Sequence, residues 1–177
     1  MSSRFLRRPV WETTLGAVRD RVYRDDFKPF FIKPKEQLKR FTGKIIESLY
    51  DLGSLTNVSK QTTVFCSDVV NWLSEYRAFV IDGEVKDVRH YSGDPEVTAD
   101  DAIIKSAVDT LEASGQANAA YAIDFGVLDD GATALIELND GFSLGSYGLG
   151  RTIFADLTLA RWQELMCGGS TPARTTP

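Results

Sequence analysis

Apolar residues along this chain recur at period two or in short unbroken runs, and fall at helical spacing in three places. Leu15, Val18 and Val22 are spaced by three and four behind Thr13 and Thr14, which predicts a short amphipathic helix over 11–24 and makes 1–27 an N-terminal helical segment. Thr98 or Asp100 can cap a second helix over 98–114, with Ile103, Ile104, Ala107, Val108 and Leu111 on one face and Gly115 as its stop. A third, over 153–165, closes the ordered chain and is followed by a polar tail, 167–177, expected to be disordered.

Between the helices the pattern predicts strands. Phe30, Phe31 and Ile32 form a short run ending at Lys33, which Pro34 holds in extended backbone. A turn at Phe41-Thr42-Gly43 leads into a second strand, and 62–70 is apolar enough to be buried on both faces. Residues 75–80 and 84–91 flank an Asp82-Gly83 turn, and 120–127 and 132–138 flank Asp129-Asp130-Gly131; both pairs read as hairpins.

The 177 residues, 43% hydrophobic and 25% charged, have the make-up of one ordinary globular domain. No run is long and apolar enough for a membrane span or a signal peptide, which implies a cytoplasmic protein. Cys66 and Cys167 are far apart, so a disulfide framework and a CxxC site are both absent. The net charge of −5 hides an asymmetry. Residues 1–44 carry 12 Lys or Arg against 5 Asp or Glu, while the remainder carries 8 against 20. The basic third suits either a nucleic acid or the phosphates of a nucleotide whose metal ions are held by the acidic part.

Chemistry concentrates in the second hairpin. Asp124 lies on one strand, and Glu137 and Asn139, two apart, point to one face of the next. Two carboxylates and an amide oxygen are hard ligands suited to Mg²⁺; the same residues also fit a solvated polar edge. As metal ligands Asp124 and Glu137 are expected at an exposed strand end, so that Asp124→Asn and Glu137→Gln weaken Mg²⁺-dependent nucleotide binding and keep the fold, whereas unfolding by both would make them structural. Glu75 and Arg77 share a strand face, as a clamp for ribose and phosphate or as a structural ion pair. Lys33 by itself fits a lysine snorkelling at a strand end, but it is flanked by Lys35, Lys39 and Lys44 around Gly43, a combination able to bring ammonium groups and backbone N–H to a polyphosphate. His90 is the sole histidine and fits no triad signature, so it reads as structural. Asp124-Phe125-Gly126 spells the protein-kinase metal motif, but the catalytic-loop and glycine-loop motifs are missing and the chain is too short for that fold. No helix-turn-helix, zinc or RNP pattern accompanies the basic third, which leaves nucleic acid a minor option.

In this order, Lys33, Lys39 with Phe41-Thr42-Gly43, Glu75-Tyr76-Arg77, Asp124, Glu137-Leu138-Asn139, the Ser143–Gly148 run Ser-Leu-Gly-Ser-Tyr-Gly, and Arg161-Trp162 resemble the ATP-grasp superfamily. The Asp124-to-Glu137 distance and the Glu-x-Asn pair are similar to those of D-alanine:D-alanine ligases. More narrowly, the set resembles the clade named for one Arg and two Lys, over 28–166. The resemblance implies an α+β ATP-grasp fold of two α+β subdomains whose antiparallel sheets grip ATP between them. It implies that Lys33, Lys39, Ser67, Asp68, Val70 and Glu75 bind ATP, that Arg77 is catalytic, and that Asp124, Glu137 and Asn139 hold Mg²⁺. The implied reaction joins a small-molecule or peptide carboxylate to an amine or thiol through an acyl phosphate; the alternative is a non-catalytic nucleotide-binding or interaction module. Many superfamily members carry a further N-terminal domain, whereas about 27 residues precede the first strand here. Substrate therefore comes to a minimal domain, a partner domain completes the site, or the chain is truncated.

Overall fold

The computed structural model describes residues 3–24, 27–35 and 41–167, and the contacts divide the chain into two units. One is Arg8–Val70; the other joins Met1–Arg7 to Asn71–Pro177. Each is built on its own four-stranded antiparallel sheet.

In Arg8–Val70 the elements are β1 (Val10–Thr14), α1 (Leu15–Tyr23), β2 (Phe30–Pro34), β3 (Lys44–Ile46), a 3-10 segment Leu49–Leu55 and β4 (Thr63–Asp68), with strand order β1-β4-β2-β3. The helix expected over 11–24 is therefore shorter, because Val10-Trp11-Glu12-Thr13-Thr14, rich in β-branched and aromatic side chains, pairs with β4 from Val10↔Ser67 to Thr14↔Thr63. From Arg8 on, the segment expected to be helical belongs to this sheet unit. Thr14 ends the strand and caps α1, its hydroxyl accepting from the Ala17 N–H at 3.2 Å. Two other early helical N–H groups donate to carbonyls, Leu15 to Thr62 and Gly16 to Lys60. Leu15, Val18 and Val22 of α1 pack with Phe30, Ile32, Ile46, Val64 and Cys66 of the sheet and with Leu52 and Leu55. β4 alternates over its first four residues rather than being buried on both faces throughout: Val64 and Cys66 are buried and Thr63 and Phe65 half-buried, while Ser67 is buried again before exposed Asp68.

The other unit contains β5 (Trp72–Ile81), β6 (Glu84–Gly93), α2 (Asp101–Ala113), β7 (Ala120–Leu128), β8 (Thr133–Asp140) and α3 (Arg151–Met166), with strand order β6-β5-β7-β8. Asp82 and Gly83 turn the first hairpin with φ of 52° and 76°, the left-handed pair that matches strand twist. Asp100 caps α2 by accepting from the Ala102 N–H at 2.8 Å. Ala78, Val80, Tyr121, Ile123, Phe125 and Leu135 on one sheet face meet Ile104, Ala107, Val108 and Leu111 of α2, and Phe5 joins them. The opposite face carries Phe79, Ile81, Ala120 and Ala122 against Leu149 and, from α3, Leu157. Period-two alternation continues each of those strands past the α3 contact, so the next inward positions on that face are Arg77 and Asp124.

Candidate functional site

One transverse row of that face is charged in every strand. Arg89, Arg77, Asp124 and Glu137 lie directly opposite one another on β6, β5, β7 and β8. At the centre, Arg77 donates from Nε to Asp124 Oδ1 and from Nη2 to Asp124 Oδ2, both at 2.7 Å. Asn139 donates its amide to Asp124 Oδ2 at 3.2 Å. Asp124, Glu137 and Asn139 share one face, brought there by a one-residue register shift past Phe125 and not by regular hairpin spacing, and Asp124 is 2% exposed and Arg77 6%. The expectation of an exposed Asp124 is corrected: β7 is a central strand, and the row lies beneath a covering of side chains. A bulge between Asp124 and Phe125 ends the regular register just there.

The electrostatics follow from this burial. Desolvation raises the Asp124 carboxyl above its ordinary range; Arg77 and Asn139 pull the other way, and the Glu137 charge adds to the rise. Burial alone would lower the Arg77 guanidinium, but the bonds to Asp124 outweigh it and the net direction is upward. Arg89, at the edge of the row, is taken by Asp87 of its own strand at 2.5 Å.

Two tyrosines given no role in the sequence-based reading complete the enclosure, Tyr147 having entered only within the Ser143–Gly148 run. Tyr91 and Tyr147 stack with ring centroids 4.7 Å apart, and the Arg77 guanidinium carbon lies 4.8 Å from the Tyr147 ring and 5.9 Å from the Tyr91 ring. Tyr91 donates its hydroxyl to Glu75 at 3.0 Å, and burial, followed by the charges of Asp124 and Glu75, pushes its pKa up. Glu75, Arg77, Tyr91 and Tyr147 are therefore one assembly. Nothing in the spacing signals Tyr91, because the bulge between Glu75 and Tyr76 is what lets it face Glu75.

Arg161 braces the end of β8. Its Nε and Nη2 donate to the two Asp140 oxygens at 2.7 and 2.8 Å, and its Nη1 donates to Glu164 at 2.7 Å. The same Glu164 oxygen accepts from the Ala119 N–H. Asp140 follows Asn139 in sequence, so α3 is tied to the strand that presents Glu137 and Asn139.

The remaining expected residues belong to Arg8–Val70. Lys33 is half-buried on β2 opposite Phe65, on the face away from Phe30 and Ile32. Ser67 and Asp68 end β4, and Val70 lies just past it as the last residue of the unit. Lys39 lies outside the described residues, as does the tail from 168 on. Lys35 is paired with Glu12 at 2.7 Å, and Lys44 donates to the Asp51 carbonyl and the Ser54 hydroxyl, so these two flanking lysines have partners within their own unit. Gly43 lies against the Phe31 ring, which a Cβ would meet at 2.5 Å. His90 stands edge-on to Tyr76, with centroids 5.2 Å apart, and its Nε2 is buried with no hydrogen-bond partner among the described residues.

Among the described residues no group of three His, Cys, Asp or Glu side chains is placed to hold a metal ion. Asp124, Glu137 and Asn139 offer two carboxylates and one amide, an all-oxygen set that fits a hard dication keeping other positions for water or phosphate. Arg77 now supplies the positive charge against Asp124.

Comparison with known proteins extends the picture. The model of an ATP-grasp domain family, family 2 of the clade named for one Arg and two Lys, matches residues 5–157. No curated protein matches the chain in sequence. Among solved structures it is similar to N5-carboxyaminoimidazole synthetase from Staphylococcus aureus complexed with ADP (TM-score 0.57, 13% identity, 87% of this chain and 46% of that one). It is similar to D-alanine–D-alanine ligase from Bacillus anthracis (TM-score 0.57, 15% identity, 89% and 62%) and to the VanG D-Ala:D-Ser ligase from Enterococcus faecalis (0.55, 16%, 88% and 56%). The chain thus spans about half to three-fifths of the length of these neighbours, and at such identities the likeness shows a shared fold. With a family model matched over most of its length and a fold shared with ligases of that type, the chain belongs to the ATP-grasp domain family 2 of the clade named for one Arg and two Lys.

Proposed function

We propose that this chain is an ATP- and Mg²⁺-dependent ligase domain that joins a carboxylate to an amine or thiol. The observation that carries the reading is the cross-strand arrangement of Arg77, Asp124 and Glu137 with Asn139 on one sheet face. In this reading Asp124, Glu137 and Asn139 hold Mg²⁺, which offsets phosphate charge when bound. Arg77 then takes the γ-phosphoryl oxygens, where its planar guanidinium stabilises charge during transfer. Glu75, oriented by Tyr91, accepts from ribose hydroxyls. Lys33 and Lys39 meet the phosphates, and the β4 end at Ser67, Asp68 and Val70 meets adenine; these assignments rest on the family resemblance.

The reaction has two steps. A substrate carboxylate oxygen forms a bond to the γ-phosphorus as the bond to the β–γ bridging oxygen breaks, giving an acyl phosphate and ADP. An amine nitrogen or thiol sulfur then bonds to the acyl carbon, loses its proton, and expels phosphate. Positioning and charge stabilisation supply the catalysis. The acid and the nucleophile, small molecule or peptide, and any partner domain belong to the same proposal, as does a cytoplasmic setting; no helix among the described residues is long and apolar enough to cross a membrane.

Calorimetric titration of the purified chain with a non-hydrolysable ATP analogue, with and without Mg²⁺, is the test, run on wild type and Glu137→Gln. Metal-dependent binding that the substitution abolishes supports the site; absence of binding to folded protein refutes it. A second reading, nucleotide binding without turnover, is favoured by Asp124 having both oxygens occupied by Arg77. ADP and phosphate release that needs both an acid and an amine would dismiss that second reading.

A further inference from the structure

Arg77 is enclosed by two strands and one short loop. Asp124 holds its Nε and Nη2 edge, the Tyr91 ring flanks it, and the remaining cover is the loop between β8 and α3. From that loop Tyr147 lays its ring over the guanidinium, and the Gly145 carbonyl lies 3.4 Å from Nη1. The loop is anchored on both sides of this cover. Leu149 is buried with Phe79 and Leu157, and Leu144 packs on the same cluster. The four residues between them, Gly145-Ser146-Tyr147-Gly148, are exposed, and Tyr147 itself is 44% exposed although it covers a side chain that is almost wholly enclosed. Their backbone is a tight turn that the Leu149 N–H closes by donating to the Ser146 carbonyl at 2.8 Å. Within it Tyr147 holds a left-handed φ of 45°, which is costly for a bulky side chain, and Gly148 follows at 81°. A segment with few buried contacts between two fixed points opens locally at low cost.

We propose that residues 145–148 form a lid over Arg77, closed by the Tyr147–Tyr91 stack, and that an anionic phosphoryl ligand reaches Arg77 by displacing it. The proposal deepens the ligase reading and rests on it for the identity of the ligand. In the closed state the guanidinium stands in for the dication at Asp124. Opening frees Nη1, and a metal ion at Asp124 releases Nε and Nη2, so that the arginine turns from a structural counter-ion into a ligand-binding group. Tyr147 is thus a positioning residue, acting through Arg77.

Arginine labelling with phenylglyoxal, mapped by peptide mass, reads the lid directly and needs no turnover. Asp124 alone would hold Nη2 in every chain, as Asp140 and Glu164 hold Arg161, so the comparison carries Asp124→Asn throughout. In that otherwise wild-type background Arg77 is expected to label at least tenfold more slowly than exposed Arg151. With Tyr147→Ala added it labels at least tenfold faster, while Arg161 stays protected and reports that the chain is folded. Tyr147→Phe keeps the stack and stays protected. Equal labelling of Arg77 with and without Tyr147→Ala in folded chains overturns the lid. Should Arg161 also label once Tyr147→Ala is added, Asp124→Asn alone in sub-denaturing urea decides. Arg77 reacting well ahead of Arg161, at a rate insensitive to urea, supports the lid, and joint reaction overturns it. Added Mg²⁺, with Asp124 native, separates the two ideas: a faster Arg77 reaction in Tyr147→Ala is expected, and no change there counts against Asp124 as a metal ligand without touching the lid.

Discussion

Arg77 and Asp124 face each other across adjacent central strands and share two parallel 2.7 Å hydrogen bonds, with both side chains almost fully buried. A bidentate pair of this kind is geometrically strong, yet its worth depends on what is removed. Loss of one partner leaves a buried charge with no counter-charge, which costs about 3–5 kcal/mol, whereas replacing both by apolar residues of similar volume is often nearly neutral. Asp124→Asn is therefore expected to lower stability by about 3 kcal/mol or more in urea titration, despite its near-identical shape. The Arg77→Met/Asp124→Leu double variant should come back to within about 1 kcal/mol of wild type. A single variant as stable as wild type would mean that the pair is open to water.

The contrast with Glu137 is a second prediction. Glu137 is half-buried on β8, where the sheet ends, so Glu137→Gln should change stability by less than about 1 kcal/mol. Equal loss in Asp124→Asn and Glu137→Gln, by the same urea titration, would make the whole set structural.

Local signals carried much of this. The Asp129-Asp130-Gly131 turn placed the hairpin, and the two-residue step from Glu137 to Asn139 put those two on one face. The register that the turn sets, Val127↔Thr133 to Phe125↔Leu135, would bring Ile136 opposite Asp124; the bulge that brings Glu137 there instead was not legible. The α2 face and its Asp100 cap are likewise short-range. β1 was not legible, since Leu15, Val18 and Val22 extend a helical spacing back over Trp11, and only pairing with β4 makes residues 10–14 a strand. Burial of Asp124, the reach of Tyr91 past a bulge, and the grip of Tyr147 on Arg77 join residues 14 to 70 positions apart, and no periodicity encodes them.

The cysteines give a prediction with a pH sign. Cys66 is buried and its thiol is pushed up to about 11 by desolvation, which Arg21 opposes; Cys167 is exposed. One thiol should react with a disulfide reagent in the folded chain and two after denaturation. The folded state holds the Cys66 proton more tightly than the unfolded chain does. Its contribution to stability is therefore complete below pH about 9 and is lost as pH rises toward about 11. The stability gap between wild type and Cys66→Val, measured in urea at pH 8 and pH 10.5, should shift against wild type at the higher pH. A pH-independent gap would contradict a buried thiol.

Gly93 ends β6 at φ 80°, and a Cβ there would lie 2.3 Å from the Leu73 carbonyl oxygen and 2.8 Å from the Ser74 Cα. Gly115 has a similar φ of 67° with open space around it. Both glycines relieve the left-handed backbone, but only Gly93 also admits a neighbouring strand. Gly115→Ala should cost about 1 kcal/mol and Gly93→Ala distinctly more, since backbone must move to make room. Thermal unfolding of the two variants side by side tests the order, and an equal shift would assign the whole effect to φ.

Arg161 supplies the last prediction, because its geometry separates charge from shape. The guanidinium reaches Asp140 through two nitrogens and Glu164 through the third, and all three side chains are under one-sixth exposed. Lysine keeps the charge but is a single point donor and cannot make the two parallel bonds. Arg161→Lys should therefore lose about 1.5–3 kcal/mol, the worth of a hydrogen bond to a charged group, and Arg161→Ala more, since Asp140 and Glu164 are then left without their cation. The loss has a local signature as well as a global one: Glu164 accepts from the Ala119 N–H, and Asp140 adjoins Asn139, so hydrogen exchange should quicken at Ala119 and along the end of β8 before the α2 amides respond. Uniform quickening across the unit would instead place Arg161 in the general stability of the fold, with no particular hold on the strand that presents Glu137 and Asn139.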